Sequence, residues 1–496
     1  MKRPNYIIKT NRIFSNVRKY AWLITLIIAI GGQFYPYFGL LVPFIIISLT
    51  VMSFKKGRFW CGNFCPHGSL FDYLLLPLSR NKKIPAFFMS KTVLIIFFLY
   101  FLINLSRRFI GAFQNSANVS PLYSIGMIFS NTYLMVLVLG GLLAIFINSR
   151  TWCQFCPMGA IQRISYKIGK LTRARDSKDV KVTVEHSELC HSCGKCARVC
   201  PMQLTPYKDF TEDNNQFENE KCIKCNTCVV NCPAGILQLA TADEAKTLRE
   251  KANLDGFEDS SYYQSEIIDI IDLAKDVKEF KLRLNSQKKM NLLPGQFILI
   301  KVDNKNEMYR AYTISRANEE GSEISITVKR VEDGYGTNIL FDNFNKGDYV
   351  EIKGPLGREI RIDYNKKKLM FVANGIGITP FVIGSENSLE TKDIYNFEGK
   401  IDLLYGVRYQ KDLIYDDLFI NLDKKHDNFH YHKALSREDS NTARKGYVTD
   451  ILRNMDVDKD TVVYICGTKA MADDVTGILV NKGLSLDNIN YENFSI

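Results

Sequence analysis

One cysteine pattern, present twice, constrains this chain more than any other feature. C-x2-C-x2-C-x3-C-P runs through Cys190, Cys193, Cys196, Cys200 and Pro201, and again through Cys222, Cys225, Cys228, Cys232 and Pro233. Thiolates are soft ligands that suit iron, and so tight a spacing wraps one loop around a cubane. Two such runs a short distance apart are the pattern of paired 4Fe–4S clusters, in which the fourth Cys of each run ligates the other cluster. One cluster is therefore assigned Cys190, Cys193, Cys196 and Cys232, and the other Cys222, Cys225, Cys228 and Cys200. Zinc is the competing reading. A structural zinc needs only four ligands per site, and the full repetition with its closing Cys-Pro argues for iron. A domain holding two such clusters moves electrons.

At 496 residues the chain has room for three or four domains. Its net charge of +11 is unevenly spread. Residues 1–175 carry 21 Lys and Arg against a single acid, Asp72, for +20, which leaves −9 for the remainder. Nucleic acid is set aside as a partner, because the basic residues flank long apolar runs instead of forming a groove pattern. Of the 13 cysteines, 12 sit in closely spaced pairs or fours, which argues against disulfides and for a reducing compartment.

The apolar runs predict an α-helical, multi-pass membrane domain. No cleavable signal peptide is expected, since the start is basic for too long before its first apolar run. That run, Ala21–Phe54, is broken by Gly31-Gly32-Gln33 and Tyr35-Pro36. A crossing takes about 17–25 residues, so the stretch reads as two short spans. Two more follow near Ala86–Leu105 and Ser124–Asn148. Four crossings put Lys2–Lys19, Lys55–Lys83 and Arg150–Arg175 on one side, cytoplasmic by the positive-inside rule, with Arg107 and Arg108 alone outside. The N-terminus and everything after the last span are then cytoplasmic.

An internal repeat sits at the membrane edge. Trp60-Cys61-Gly62-Asn63-Phe64-Cys65-Pro66-His67-Gly68 and Trp152-Cys153-Gln154-Phe155-Cys156-Pro157-Met158-Gly159 share W-C, F-C-P and a following Gly, and each follows an apolar span. Repeats in membrane proteins often place a site between their copies. Cys61, Cys65, Cys153 and Cys156 could thus supply four ligands to an additional iron or iron–sulfur centre at the cytoplasmic face; structural or disulfide-linked pairs are the bland alternative. His67 is matched by Met158 and is read as a bystander.

On these motifs the first ~235 residues resemble the NapH family of membrane ferredoxin-type subunits. The resemblance implies four spans, two Cys-Pro motifs, two cytoplasmic 4Fe–4S clusters, and electrons passed toward quinone or extracytoplasmic partners. The second motif here is C-x2-C-P, where the family commonly has C-x3-C-P in both places.

The chain beyond about residue 260 changes character, to short alternating strands such as Gly295–Ile300 and Ile324–Val328. Between them lies Arg310-Ala311-Tyr312-Thr313. An Arg there can pair with a flavin phosphate, a Tyr ring can lie on the isoalloxazine, and a Thr can hydrogen-bond the ring's reactive nitrogen. Gly334-Tyr335-Gly336-Thr337 offers backbone N–H groups to a pyrophosphate. Farther on, the strand Lys368–Ala373 is followed by Asn374-Gly375-Ile376-Gly377-Ile378-Thr379-Pro380, expected to open a helix against a dinucleotide. Further strand ends carry Gly406 and Gly467, as in a parallel nucleotide-binding sheet.

In that order, residues ~262–496 resemble the ferredoxin–NADP reductase family on Arg310, Tyr312, Thr313, Gly336, Thr337, Gly354-Pro355, Gly375 to Pro380, Cys466-Gly467 and Glu492-Asn493-Phe494. The resemblance implies a flavin-binding β-barrel followed by an NAD(P) domain, FAD rather than FMN, Cys466 and Glu492 beside the nicotinamide with Thr313 at the flavin, and Phe494 covering it. Ser436-Arg437, helped by Arg408, Lys445 and Tyr447, suits a 2′-phosphate and favours NADPH over NADH. His430 and His432 share one face of a strand and are read as solvated surface.

The expectation is a multidomain chain: an α-helical membrane domain (1–175), an α+β ferredoxin domain (176–240), a linker (241–261), a flavin β-barrel (262–362) and an α/β nucleotide-binding domain (363–496). Its expected activity is electron transfer from NAD(P)H through FAD and the clusters to the membrane cysteines, then to a quinone or an extracytoplasmic redox protein, a flavinylated one included. A copper or iron reductase or maturation factor and a non-enzymatic redox sensor are the competing functions.

Overall fold

The computed structural model describes residues 6–114, 119–172, 179–285, 289–318, 320–358, 366–382 and 397–492, in two compact units, Met1–Ala252 and Asn253–Ile496.

Among the described residues of the first unit, three helices are long and apolar enough to cross a membrane: Pro36–Lys56, Lys91–Gln114 and Pro121–Phe146. Four such spans were expected. The stretch before Tyr35 forms helical turns from Asn16 to Phe34, but Arg18 and Lys19 occupy its start. The 14 residues from Ala21 to Phe34 then reach only ~21 Å at 1.5 Å per residue, short of the ~30 Å hydrocarbon core. This piece packs on the rest of the bundle: Arg18 Nη1 donates to the Gly62 carbonyl (2.6 Å), and Gly32 lies against Ser130. The third expected span extends to Gln114, so Arg107 and Arg108 belong to the helix itself.

The ferredoxin region is a short antiparallel pair, β1 (Lys181–Val184) and β2 (Leu237–Ala240), with two cysteine loops between. The loops repeat one backbone path. Ser192 and Lys224 take positive φ (45° and 52°), as do Gly194 and Asn226 (69° and 64°), each of the latter capping a one-turn helix that carries the third Cys. The first half of the expected linker is the helix Ala242–Lys251, started by a reciprocal Thr241–Glu244 capping box.

The second unit joins a closed barrel to a parallel sheet. The barrel order is β3 (Ser261–Ala274), β4 (Val277–Leu284), β7 (Glu323–Lys329), β6 (Met308–Ala317), β5 (Phe297–Asp303) and β8 (Tyr349–Leu356). The sheet order is β12 (Arg444–Lys445), β11 (Phe429–Leu435), β10 (Lys400–Val407), β9 (Lys368–Asn374), β13 (Val462–Cys466) and β14 (Ile489–Glu492). Leu369 to Ala373 are buried on both faces of the sheet, as a central parallel strand requires. Tyr415 ties the barrel to the sheet: its hydroxyl meets Glu279 Oε2 (2.8 Å) and Thr327 Oγ1 (2.6 Å), and Arg316 lies over its ring.

His432 corrects the surface reading. Its Nε2 meets the fully buried Asp402 carboxylate at 2.9 Å, with Lys400 and Lys368 also on that carboxylate. Burial alone would raise Asp402; the His432 hydrogen bond and the two lysines outweigh it and hold its pKa low.

Candidate functional site

The first cysteine loop and the end of the second meet around one small cavity, lined by Cys190, Cys193, Cys196 and Cys232 with Tyr207, Phe210 and Leu237. Cys200 is left out of it and stands instead with Cys222, Cys225 and Cys228. The crossed grouping in space is therefore the one expected from the run spacing. Burial, then neighbouring sulfurs, push Cys200 up to about 12, while Cys222 rises to about 11 on burial and its proximity to Cys225. Iron supplies the positive charge that such desolvated thiolates need, so both sets fit 4Fe–4S clusters.

The Cys-Pro repeat has a simple local logic. Cys65 and Cys156 are N-cap residues, and Pro66 and Pro157 take the first helical position, where proline's fixed φ and missing N–H cost nothing. Each sulfur thus sits at a helix N-terminus, with the Gly68 N–H donating to Cys65 Sγ (3.4 Å). The two copies converge. Cys61, Cys65, Cys153 and Cys156 all line one cavity of about 110 Å³, walled also by Val42, Ile46, Phe97 and Phe129. Among the described residues no three His, Cys, Asp or Glu side chains are gathered so as to hold a single metal ion. The four cysteines share the lining of the cavity. Burial and the neighbouring sulfurs push Cys65 and Cys156 up to about 12.

Residues that the sequence reading passed over complete this cavity. His67, read as a bystander, lines the cavity: its ring packs on Tyr133 (4.4 Å between centroids), and among the described residues its buried Nε2 has no hydrogen-bond partner. Gln162 Nε2 donates to Cys61 Sγ (3.1 Å). Arg58 and Arg150 line the wall, and Asp72 holds Arg150 (2.6 Å), Arg12 and Arg18 together in full burial. The isolated acid in a run of 21 bases was the available signal for that cluster.

The second ferredoxin loop packs directly onto the first cysteine turn. Asn63 Nδ2 donates to the Lys224 carbonyl (3.3 Å), Lys224 Nζ to the Lys56 carbonyl (3.0 Å), and Arg58 Nη1 to the Lys221 carbonyl (3.5 Å). Gly62 lies so close to the Ile223 carbonyl that a Cβ there would overlap it. At the other turn, Gln154 Nε2 donates to the Met202 carbonyl (3.3 Å). The cluster set Cys200/Cys222/Cys225/Cys228 is thus the one whose loop touches the Cys-Pro turns.

In the second unit β6 carries Arg310, Tyr312 and Thr313, the last buried. The nine-residue helix Tyr335–Asn343 begins against Arg310, and a Cβ on Gly336 would meet the Arg310 side chain at 2.7 Å. The start of a helix and a guanidinium side by side form a cradle for a pyrophosphate, so the residues fit FAD. Thr337 does not face outward; its Oγ1 accepts from the Val331 N–H (3.2 Å).

The nucleotide end lies where β9, flanked by β10 and β13, marks the topological switch point. After β9, Gly375–Phe381, including Gly377, Thr379 and Pro380, forms a 3-10 turn rather than the start of an α-helix within the described residues. Pro380 inside it cannot donate the next helical bond. A Cβ on Gly377 would lie 2.7 Å from the Cys466 carbonyl carbon, and Asn374 Oδ1 accepts from the Thr468 N–H (3.1 Å), so the ends of β9 and β13 are clasped. Cys466 is buried at the end of β13 beside Gly467, and Glu492 is its register partner on β14. Beyond β10 and β11, the Arg437 N–H donates to the Arg408 carbonyl (3.0 Å), bringing both arginines next to Ser436, while Lys445 pairs with Asp439 (2.8 Å). Phe494 lies outside the described residues.

Comparison with known proteins agrees segment by segment. Residues 264–360 match the oxidoreductase FAD-binding domain and 371–477 the oxidoreductase NAD-binding domain. Residues 189–237 match a 4Fe-4S dicluster domain, and 36–85 with 130–175 a 4Fe-4S binding domain. The chain is 28% identical over 238 residues to the toluate 1,2-dioxygenase electron transfer component of Pseudomonas putida, covering 47% of this chain and 68% of that protein. It is 29% identical over 181 residues to the glycine betaine monooxygenase reductase subunit of Pseudomonas aeruginosa, covering 36% of this chain but only 48% of that one. Among solved structures, the Amycolatopsis cytochrome P450 reductase GcoB aligns with a TM-score of 0.43 at 22% identity, over 52% of this chain and 74% of that one. The Neisseria gonorrhoeae ferredoxin NADP+ reductase aligns with a TM-score of 0.42 at 19% identity, over 47% and 98%. The class is defined by these domains: the chain is an oxidoreductase that uses FAD, NAD(P)H and 4Fe–4S clusters.

Proposed function

We propose that the chain is a multi-pass membrane oxidoreductase of NapH-like membrane architecture, with its N-terminus, ferredoxin and flavin domains cytoplasmic. It draws electrons from NAD(P)H, NADPH preferred, and delivers them through the membrane cysteines to a quinone or an extracytoplasmic redox protein. When bound, FAD accepts hydride and yields electrons singly, and iron–sulfur groups carry them onward. Arg310 and the helix start at Gly336 hold the flavin phosphates, Tyr312 and Thr313 orient its ring, and Cys466 and Glu492 place the nicotinamide. Arg408, Ser436 and Arg437 receive the 2′-phosphate. The two Cys-Pro helix starts hold Cys65 and Cys156, and the turns before them hold Cys61 and Cys153, at one apolar-walled cavity.

The observation that carries this reading is the seating of the loop Lys221–Cys225 on the turn Cys61–Cys65. Direct packing of two cysteine sets gives electrons a short route and removes a diffusive encounter. The test uses purified protein in liposomes containing a lipophilic quinone. Cys61→Ser with Cys153→Ser should abolish NADPH-driven quinone reduction while ferricyanide reduction persists. Quinone reduction at the wild-type rate in that variant refutes the reading.

A further inference from the structure

We infer that Arg58 and Arg150 are a pseudo-twofold pair of positioning residues that hold the anionic centre of the four membrane cysteines, Arg58 favouring its reduced form. The inference rests on the reading that these cysteines bind an iron or iron–sulfur group.

The repeat extends further than its cysteines. Each copy carries an Arg three residues before its first Cys, Arg58 before Cys61 and Arg150 before Cys153. Arg58 Nη2 reaches Cys61 Sγ in its own copy (3.8 Å) and the Cys153 carbonyl in the other (3.1 Å). Arg150 Nη1 does the reciprocal, to Cys153 Sγ (3.5 Å) and the Cys61 carbonyl (3.5 Å). The glycines exchange partners in the same way. A Cβ on Gly68 would lie 2.8 Å from Arg150 Nη1, and one on Gly159 would lie 3.0 Å from Arg58 Nη2. Each copy's C-P-x-G turn therefore closes over the other copy's guanidinium, and two cations are fixed against the cavity wall.

The two cations are not equivalent. Arg150 is paired with Asp72, whose carboxylate also takes Arg12 and Arg18. Arg58 has no carboxylate partner among the described residues and is buried to 3% exposure. Arg58 therefore depends on the sulfurs for its counter-charge, and they depend on it. Four thiolates around iron leave a net negative group, and adding an electron makes it more so. A fixed cation in a low-dielectric wall favours that added charge. The step is one-electron: the neighbouring iron–sulfur cluster is oxidised, the membrane centre is reduced, and no bond or proton changes hands.

The test is an anaerobic, EPR-monitored redox titration of the full-length protein, with iron and acid-labile sulfide counted per chain. Cys61→Ser with Cys153→Ser comes first: loss of iron beyond the two ferredoxin clusters supports the underlying reading, and unchanged iron overturns it together with the inference. Arg58→Gln should then move the midpoint of the membrane centre to more negative potential, with flavin and ferredoxin signals in place as evidence of folding. Arg58→Lys should recover part of the shift. An unchanged midpoint in Arg58→Gln, with the centre loaded, overturns the inference while leaving the reading intact.

Discussion

Replacing Gly62 by Ala tests whether the ferredoxin loop must touch the membrane cysteines. A methyl at that position overlaps the Ile223 carbonyl oxygen and lies 2.9 Å from its carbon and 3.2 Å from the Cys225 nitrogen. All three atoms are backbone, so no rotamer relieves the clash. Ordinary contact begins near 3.4 Å, so the loop retreats by ~0.5 Å at the carbonyl carbon and by more at the oxygen. Overpacking of this kind costs about 1–3 kcal/mol. A docking equilibrium weakened by that much shifts by about 5–150-fold. The Asn63–Lys224 and Lys224–Lys56 hydrogen bonds lie on the same loop and loosen with it. The assay compares NADPH-driven reduction of a liposomal quinone with reduction of ferricyanide, alongside hydrogen exchange over residues 221–225. Quinone reduction should fall several-fold, ferricyanide reduction should hold, and exchange in the loop should rise. Gly477→Ala is the control, since its Cβ meets nothing within 4 Å in the helix Lys469–Asn481. Wild-type quinone reduction and loop protection in Gly62→Ala would refute the reasoning.

Three further outcomes follow from the geometry. Cys232→Ala should remove the same EPR signal as Cys193→Ala, and Cys200→Ala the same as Cys222→Ala; signals paired by position in the sequence would contradict the crossed cavities. Gly336→Ala forces the Arg310 side chain from the helix start, so the purified protein should retain at least about tenfold less FAD, the equivalent of about 1.4 kcal/mol; undiminished flavin content counts against the cradle. Asp402 has a folded pKa below its unfolded value, so its contribution is present above the ordinary carboxylate range and is lost as pH falls through the folded pKa. Asp402→Asn should destabilise the second unit by about 1–3 kcal/mol at pH 7, with the gap to wild type closing in acid thermal scans; a gap that is constant with pH would count against the His432–lysine cluster.

Much of this protein is legible in its sequence because the informative relations are short. C-x2-C-x2-C-x3-C-P fixes the reach of a loop within a dozen residues, and Cys-Pro fixes an N-cap followed by a first helical position, whatever surrounds them. The alternation of strands with glycine-ended connections likewise pointed to a parallel sheet, while the barrel was implied by the resemblance to the ferredoxin–NADP reductase family. Span lengths were less legible. Tyr35-Pro36 marked the break correctly, but the helix start at Arg18-Lys19 shortened the piece before it.

The sequence by itself determined which ligands exist and how each local turn presents them. Only tertiary structure decided which other distant groups meet: Arg58 with the Cys153 carbonyl, Gln162 with Cys61, and His432 with Asp402. The physical reason is range. Covalent geometry constrains a few neighbouring residues strongly, whereas a buried cation or histidine finds its partner only when packing removes water and leaves one counter-charge in reach. Asp72 is the clearest instance: one acid among 21 bases, and the point at which residues 12, 18, 72 and 150 become a single buried cluster.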